Sequence, residues 1–259
     1  MSDALFQMQD GHPFGSELTR GPWDPGAQHG GPAGALLMRT LEGLDDGGHG
    51  LKFTRITVEL LKPVPVGELR TSAQIVRPGK RVQILEGSLT TPEGNEVARA
   101  RALRIAPAPA ACGQPEAPPI PAFDTVAETT FPLWEGKCFP GDGVEVRVVK
   151  GAFFELGPAA AWFRLKVPVV AGEAVSPLQR LMAAADFPNG ISTELSWSEW
   201  LFINPDFTLF IEREPVGEWI GLDAQTRVAA GGCGIAEGVL YDERGRVGRS
   251  VQTLYIARR

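Results

Sequence analysis

Apolar residues in Ser176–Ser192, SPLQRLMAAADFPNGIS, recur at the spacing of one helix face: Leu178, Leu181, Met182 and Ala185 stand at i, i+3, i+4 and i+7. Ser176 and Pro177 predict the start, a capping hydroxyl followed by a residue pre-set for the first helical position. Pro188 and Gly190 are expected to stop it. Leu37, Leu41 and Leu44 predict an earlier helix, from about Pro32 to Gly47-Gly48. Residues 13–31, rich in Gly and Pro, read as loop. Strand-like runs follow the first helix at Phe53–Leu61, Leu69–Val76, Arg81–Thr90 and Val97–Ile105. Val144, Val146 and Val148 alternate with polar residues in a half-buried strand, and Ala160–Val167 is another. Beyond the second helix come Leu195–Phe202, Phe207–Arg213, Trp219–Arg227 with Gly234–Tyr241, and Val247–Ile256.

The two halves repeat. Pro65-Val66-Gly67-Glu68 returns 150 positions later as Pro215-Val216-Gly217-Glu218. Glu86-Gly87 returns as Glu237-Gly238 and the turn residue Gly94 as Gly245, both 151 later. Leu103-Arg104-Ile105-Ala106 is echoed by Leu254-Tyr255-Ile256-Ala257. A helix followed by antiparallel strands therefore occurs twice. The expected organisation is a first unit over 1–106, a Pro/Ala-rich linker over 107–122 and a second unit over 123–259.

At 259 residues with 43% hydrophobic and 22% charged side chains, the chain can bury a large core. A net charge of −6 argues against nucleic acid or an anionic membrane as the main partner. No apolar run is long enough to span a bilayer, and no signal-peptide pattern opens the chain. The three cysteines, Cys112, Cys138 and Cys233, have no metal spacing, so a reducing cytoplasm is expected. All three histidines, His12, His29 and His49, fall early in the chain, which limits any histidine-based mechanism to them. There is no G-x-S-x-G elbow, phosphate loop or strand-coupled G-x-G-x-x-G.

Asp186 is the residue that packing does not explain. One turn beyond Met182, it faces the core from the negative end of a helix, two poor places for a carboxylate. The first helix opens differently, with Gln28-His29-Gly30-Gly31 before Pro32 and no Ser, Thr, Asp or Asn to cap it. Open amides at a positive helix end suit an anion or a polarised carbonyl.

The chain resembles the type II acyl-CoA thioesterases, the double hot-dog family, over nearly its whole length. The likeness is clearest from Leu181 to Asp186, from Asn204-Pro205-Asp206-Phe207-Thr208 through Pro215-Val216-Gly217-Glu218-Trp219, and from Gly245 to Gln252. It implies an α+β double hot-dog: two tandem antiparallel sheets, each wrapping a central helix and joined into one continuous sheet. Members hold the hydrolytic water with an Asp after the second helix, a hydroxyl or amide at the next long strand and a Gln in the last strand. Those positions match Asp186, Asn204 and Gln252; better-known members have Thr where Asn204 stands, and Thr208 is a second candidate. His29-Gly30-Gly31 is similar to the His-Gly-Gly helix start of single hot-dog thioesterases. That implies the amide of Gly31, with Gly30, as oxyanion donor; His29 is a possible further member, chiefly as a turn former. The repeat aligns Asn204 with Phe53 and Gln252 with Arg101, and the first helix has no acid near Leu41 before Glu42, so the second copy holds the polar groups.

The expected reaction is hydrolysis of acyl-CoA to free acid and CoA, with no metal or cofactor, in a homo-oligomer. Trp162, Phe163, Phe187, Trp197 and Trp200 are candidates to line the acyl site, and Arg77, Lys80 and Arg81 to meet CoA phosphates. The alternatives are a non-catalytic acyl-CoA or acyl-carrier binding protein, and an acyl-CoA hydratase or dehydratase. The last needs an Asp–His pair, which only His29 or His49 could complete.

Overall fold

The computed structural model describes residues 3–108, 120–131, 136–153 and 155–259; most of the expected linker, with Cys112, lies outside them. In chain order the first half gives β1 (Phe6–Gln9), β2 (His12–Gly15), α1 (Gly30–Glu42), β3 (Lys52–Leu60), β4 (Arg70–Arg77), β5 (Val82–Thr90) and β6 (Glu96–Ile105). The second gives β7 (Val144–Lys150), β8 (Ala159–Leu165), α2 (Pro177–Ala184), α3 (Pro188–Ser192), β9 (Trp200–Ile203), β10 (Asp206–Ile211), β11 (Ile220–Ala229), β12 (Cys233–Asp242) and β13 (Gly245–Arg258).

The strands of the first copy stand within a residue of their sequence bounds, because one-sided burial leaves a period of two in the chain; β5 alternates strictly between buried and half-buried positions. Eleven strands form one antiparallel sheet in the order β4-β5-β6-β3-β10-β13-β12-β11-β8-β7, with β9 paired to β13. The order β4-β5-β6-β3 is mirrored by β11-β12-β13-β10, so the copies meet where β3 pairs with β10. Thr57 and Thr208 are direct partners there, 151 positions apart, and their hydroxyls lie 3.0 Å from each other. The repeat offset read in the sequence is thus the pseudo-twofold of the sheet. This is the double hot-dog architecture.

Helix α1 packs on β4, β5 and β6 and α2 on β8 and β11, and the two cross with their ends reversed: Gly31 of α1 packs on the carbonyl of Ala183, and Glu42 receives the Ser176 hydroxyl at the other end. Glycine makes this approach possible. A Cβ at Gly31 would stand 2.5 Å from the Ala183 oxygen, and one at Gly34 would be 2.8 Å from the Phe207 ring. Leu36, Leu37, Met38 and Leu41 meet Leu181, Met182 and Phe207 in the main core.

Four expectations are corrected. Residues 13–31 are not all loop, since β2 pairs with β1 in a hairpin. The first helix begins at Gly30 rather than about Pro32. Pro188 stops nothing; its ring suits a first helical position and it opens α3 after a break at Ala185–Phe187. Leu195–Phe202 is strand only from Trp200, because Thr193 and Ser196 spend their side chains on local backbone turns.

Candidate functional site

Asp186 stands in the break between α2 and α3, at 7% exposure, where helix-end carbonyls need partners. Two side chains of β13 supply them. The Ser250 hydroxyl donates to the Ala185 carbonyl at 2.5 Å, and Gln252 Nε2 donates to the Asp186 carbonyl at 3.0 Å. The same Nε2 reaches Asp186 Oδ1 at 3.0 Å, while Gln252 Oε1 accepts the Asn189 N–H at 3.0 Å. These partners fix which way the amide faces. Asn204, in the turn from β9 to β10, donates through Nδ2 to Oδ1 at 2.7 Å. The other carboxylate oxygen, Oδ2, lies 2.9 Å from His29 Nδ1.

The four residues therefore converge, three from the second copy and one from the first. Gln252 is fully buried, with its amide bonded to Asp186 and to the Asn189 N–H. Thr208 does not reach the cluster; it faces Thr57 at the sheet seam. His29 is the N-cap residue of α1, and its Nδ1 stands 3.0 Å from the Gly31 nitrogen as well as 2.9 Å from Asp186 Oδ2. A histidine cap escapes notice because sequence rules look for short oxygen-bearing side chains. Gly30 touches the acid itself, since a Cβ there would be 2.6 Å from Asp186 Oδ2.

The cluster forms one wall of a cavity of about 390 Å³. His29, Gly30, Asp186, Asn189 and Asn204 line it on the polar side; Trp23, Trp197, Phe202 and Val64 line it on the apolar side. Trp23 and Trp197 stack at 4.8 Å with Phe202 set edge-on. Of the five aromatic candidates only Trp197 is at this cavity. Phe187 and Phe163 are core rings, Phe187 lying under His29. Trp162 packs on the outer face of the sheet with Ile120 and Trp219, and Trp200 lies under Arg258. Trp23 was missed because its Gly-Pro-Trp-Asp-Pro-Gly loop has no periodicity to mark a buried side. The cation at the cavity is Lys62, with Asp24 opposite in charge; Arg77, Lys80 and Arg81 are not among the lining residues.

The pseudo-twofold places a second helix-end pair at the far side of the crossing. There Glu42 takes the place of Asp186 and Ser176 that of His29; the Ser176 hydroxyl and Gln179 Nε2 each donate to Glu42 Oε2 at 2.9 Å. The expected losses are visible: Phe53, matching Asn204, is buried under Arg104, and Arg101, matching Gln252, forms an exposed ion pair with Glu86. Burial pushes the Glu42 carboxyl up from its ordinary range, against the hydrogen bonds from Gln179 and Ser176. The folded chain then holds this proton more tightly than the unfolded chain. Its contribution favours folding below the ordinary glutamate range and is lost as pH rises through the raised folded value. Glu42→Gln, with the same shape, is expected to remove this dependence and raise the Tm at neutral pH by a few degrees. Thermal melts from about pH 4 to pH 8 check it.

Among the described residues, no helix is long and apolar enough to cross a membrane. Two family models match the chain: one described as the acyl-CoA thioesterase N-terminal domain over residues 19–105, the other as the acyl-CoA thioesterase C-terminal domain over residues 115–256. Among solved structures, a conserved protein of unknown function with a hot dog fold from Alicyclobacillus acidocaldarius is similar at a TM-score of 0.75. It is 16% identical, over 96% of this chain and 95% of that one. The acyl-CoA thioesterase II TesB2 from Mycobacterium marinum is similar at 0.68, with 16% identity over 98% and 94% of the two chains. The tesB protein of Mycobacterium avium subs paratuberculosis is similar at 0.67, with 14% identity over 95% and 92%. Likeness at these identities carries the fold. No curated protein matches the chain.

Proposed function

The chain belongs to the type II, TesB-like acyl-CoA thioesterases, and from that premise we propose that it hydrolyses an acyl-CoA thioester at the Asp186 cavity. The observation that carries this reading is the carboxylate itself: buried, gripped by Asn204, Gln252 and His29, and open only to the cavity. Convergent polar groups in the wall of a largely apolar cavity are the arrangement of a ligand or active site.

In the proposed reaction a water beside Asp186 attacks the thioester carbonyl. Asn204 commits Nδ2 to the acid, which leaves Oδ1 to accept from that water. Gln252 keeps the carboxylate in place. The amide of Gly30, in the first turn of α1 and at the cavity wall, supports the oxyanion, with Gly31 behind it; one such donor is typically worth about 10²–10³ in rate. The Trp23–Trp197–Phe202 wall receives apolar parts of the substrate. No metal or cofactor enters the reaction as written. The units 1–106 and 123–259, joined by 107–122, act as one enzyme because His29 and Asp186 come from different copies. A cytoplasmic homo-oligomer completes the reading.

One observation favours a second reading. The Asp–His pair that a hydratase or dehydratase requires does form, through His29 at 2.9 Å. Thiol release from a panel of acyl-CoAs decides between them. Release supports hydrolysis; water addition to an enoyl-CoA without release supports the hydratase; saturable binding with neither leaves an acyl-CoA or acyl-carrier binding protein.

A further inference from the structure

We propose that His29, not Asp186, is the base that takes the proton from the hydrolytic water, with Asp186 acting through it. This rests on the thioesterase reading and adds the proton acceptor.

The argument turns on one nitrogen with two neighbours. His29 Nδ1 lies 2.9 Å from Asp186 Oδ2 and 3.0 Å from the Gly31 nitrogen. With a proton on Nδ1 it donates to the carboxylate; without one it accepts from Gly31. It cannot do both. Asp186 Oδ1 already has two donors, Asn204 and Gln252, whereas Oδ2 faces only Nδ1, and the acid side chain is 4% exposed. Setting a nitrogen lone pair against a buried carboxylate oxygen costs more than depriving one neutral amide of its acceptor. The proton therefore sits on Nδ1.

Two consequences follow. The Gly31 N–H loses its acceptor and stays in reserve at the start of α1, beside Gly30. The lone pair of the neutral ring lies on Nε2, at the opposite edge of a side chain that helps line the cavity. Phe139 and Phe187 flank the ring, so Asp186 is the charged group it leans on; Asp24 and Lys62 stand further along the cavity wall. The carboxylate, with three donors on two oxygens, holds the ring and balances the imidazolium as it forms.

The step balances. Nε2 takes one proton of the water as its oxygen bonds the carbonyl carbon. The tetrahedral adduct then breaks its C–S bond, and the proton passes from Nε2 to the sulfur. A carboxylic acid and a thiol leave, and His29 is neutral again.

His29→Asn separates this role from a structural one. Asparagine caps a helix well, and its amide can donate to Asp186, but it offers no base. The expected result is a fall in kcat/KM of about 10²–10⁴-fold with a folded protein, the residual rate becoming proportional to hydroxide. In His29→Ala, added imidazole should restore part of the rate. The proposal is overturned if His29→Asn keeps the wild-type kcat/KM, or loses rate with an unchanged pH profile. Absence of thiol release by the unaltered protein across the panel is a different result, which removes the thioesterase reading itself.

Discussion

Asp186→Asn is expected to lower thiol release from acyl-CoA by about 10²–10⁴-fold while the protein still folds. The substitution keeps the shape and removes the charge that His29 and the reacting water depend on. It also turns an all-acceptor group into one with a donor at one end. Asn204 Nδ2 and Gln252 Nε2 both point at Oδ1, so the new oxygen takes that place and the NH₂ faces His29 Nδ1, which must then accept; the ring proton moves to Nε2, where it leaves no lone pair for the water. Thiol release within a few-fold of wild type would remove Asp186 from the mechanism.

The second large effect is expected from a single methyl group. At Gly30→Ala the new Cβ would meet Asp186 Oδ2 at 2.6 Å and Cγ at 2.8 Å. The acid cannot retreat without stretching bonds to Asn204, Gln252 and His29. A displacement of about 1 Å in a reacting group costs roughly 10² in rate, and overpacking costs about 1–3 kcal/mol. Helix propensity alone argues the other way, since Ala is favoured over Gly by about 1 kcal/mol within a helix. Gly43→Ala is the control: at the far end of α1 the nearest atom to a new Cβ is an ordinary contact at 3.4 Å. Steady-state kinetics and thermal melts of both variants check the pair. A Gly30→Ala protein with undiminished rate and raised Tm would show that the carboxylate has room the structure denies it.

The polar cluster was legible in unequal degrees. Asp186 stood out because a charge on an apolar helix face is a local anomaly, readable from Leu178, Leu181 and Met182 alone. Asn204 and Gln252 came from the family resemblance, and the repeat supported them by showing Phe53 and Arg101 in the first copy. Their partners could not be assigned in this way. The sequence does not show that the Gln252 amide meets the break between α2 and α3, where it donates to the Asp186 carbonyl and accepts from the Asn189 N–H. Thr208 is equally polar and four residues from Asn204, but that spacing moves it along β10 to the seam with Thr57.

His29 shows the limit most plainly. Its local surroundings suggest a turn, and nothing within many residues tells it of an acid 157 positions further on. What the chain determined by itself was the strand and helix periods, the doubling, and the presence of one misplaced carboxylate, because each is written in short-range spacing or in self-comparison. What only the folded molecule decided was the reversed crossing of two helices on glycine contacts. That crossing sets the start of one against the end of the other and puts an imidazole and a carboxylate 2.9 Å apart. Contact of that kind depends on close packing between distant segments, and close packing leaves no period in a sequence.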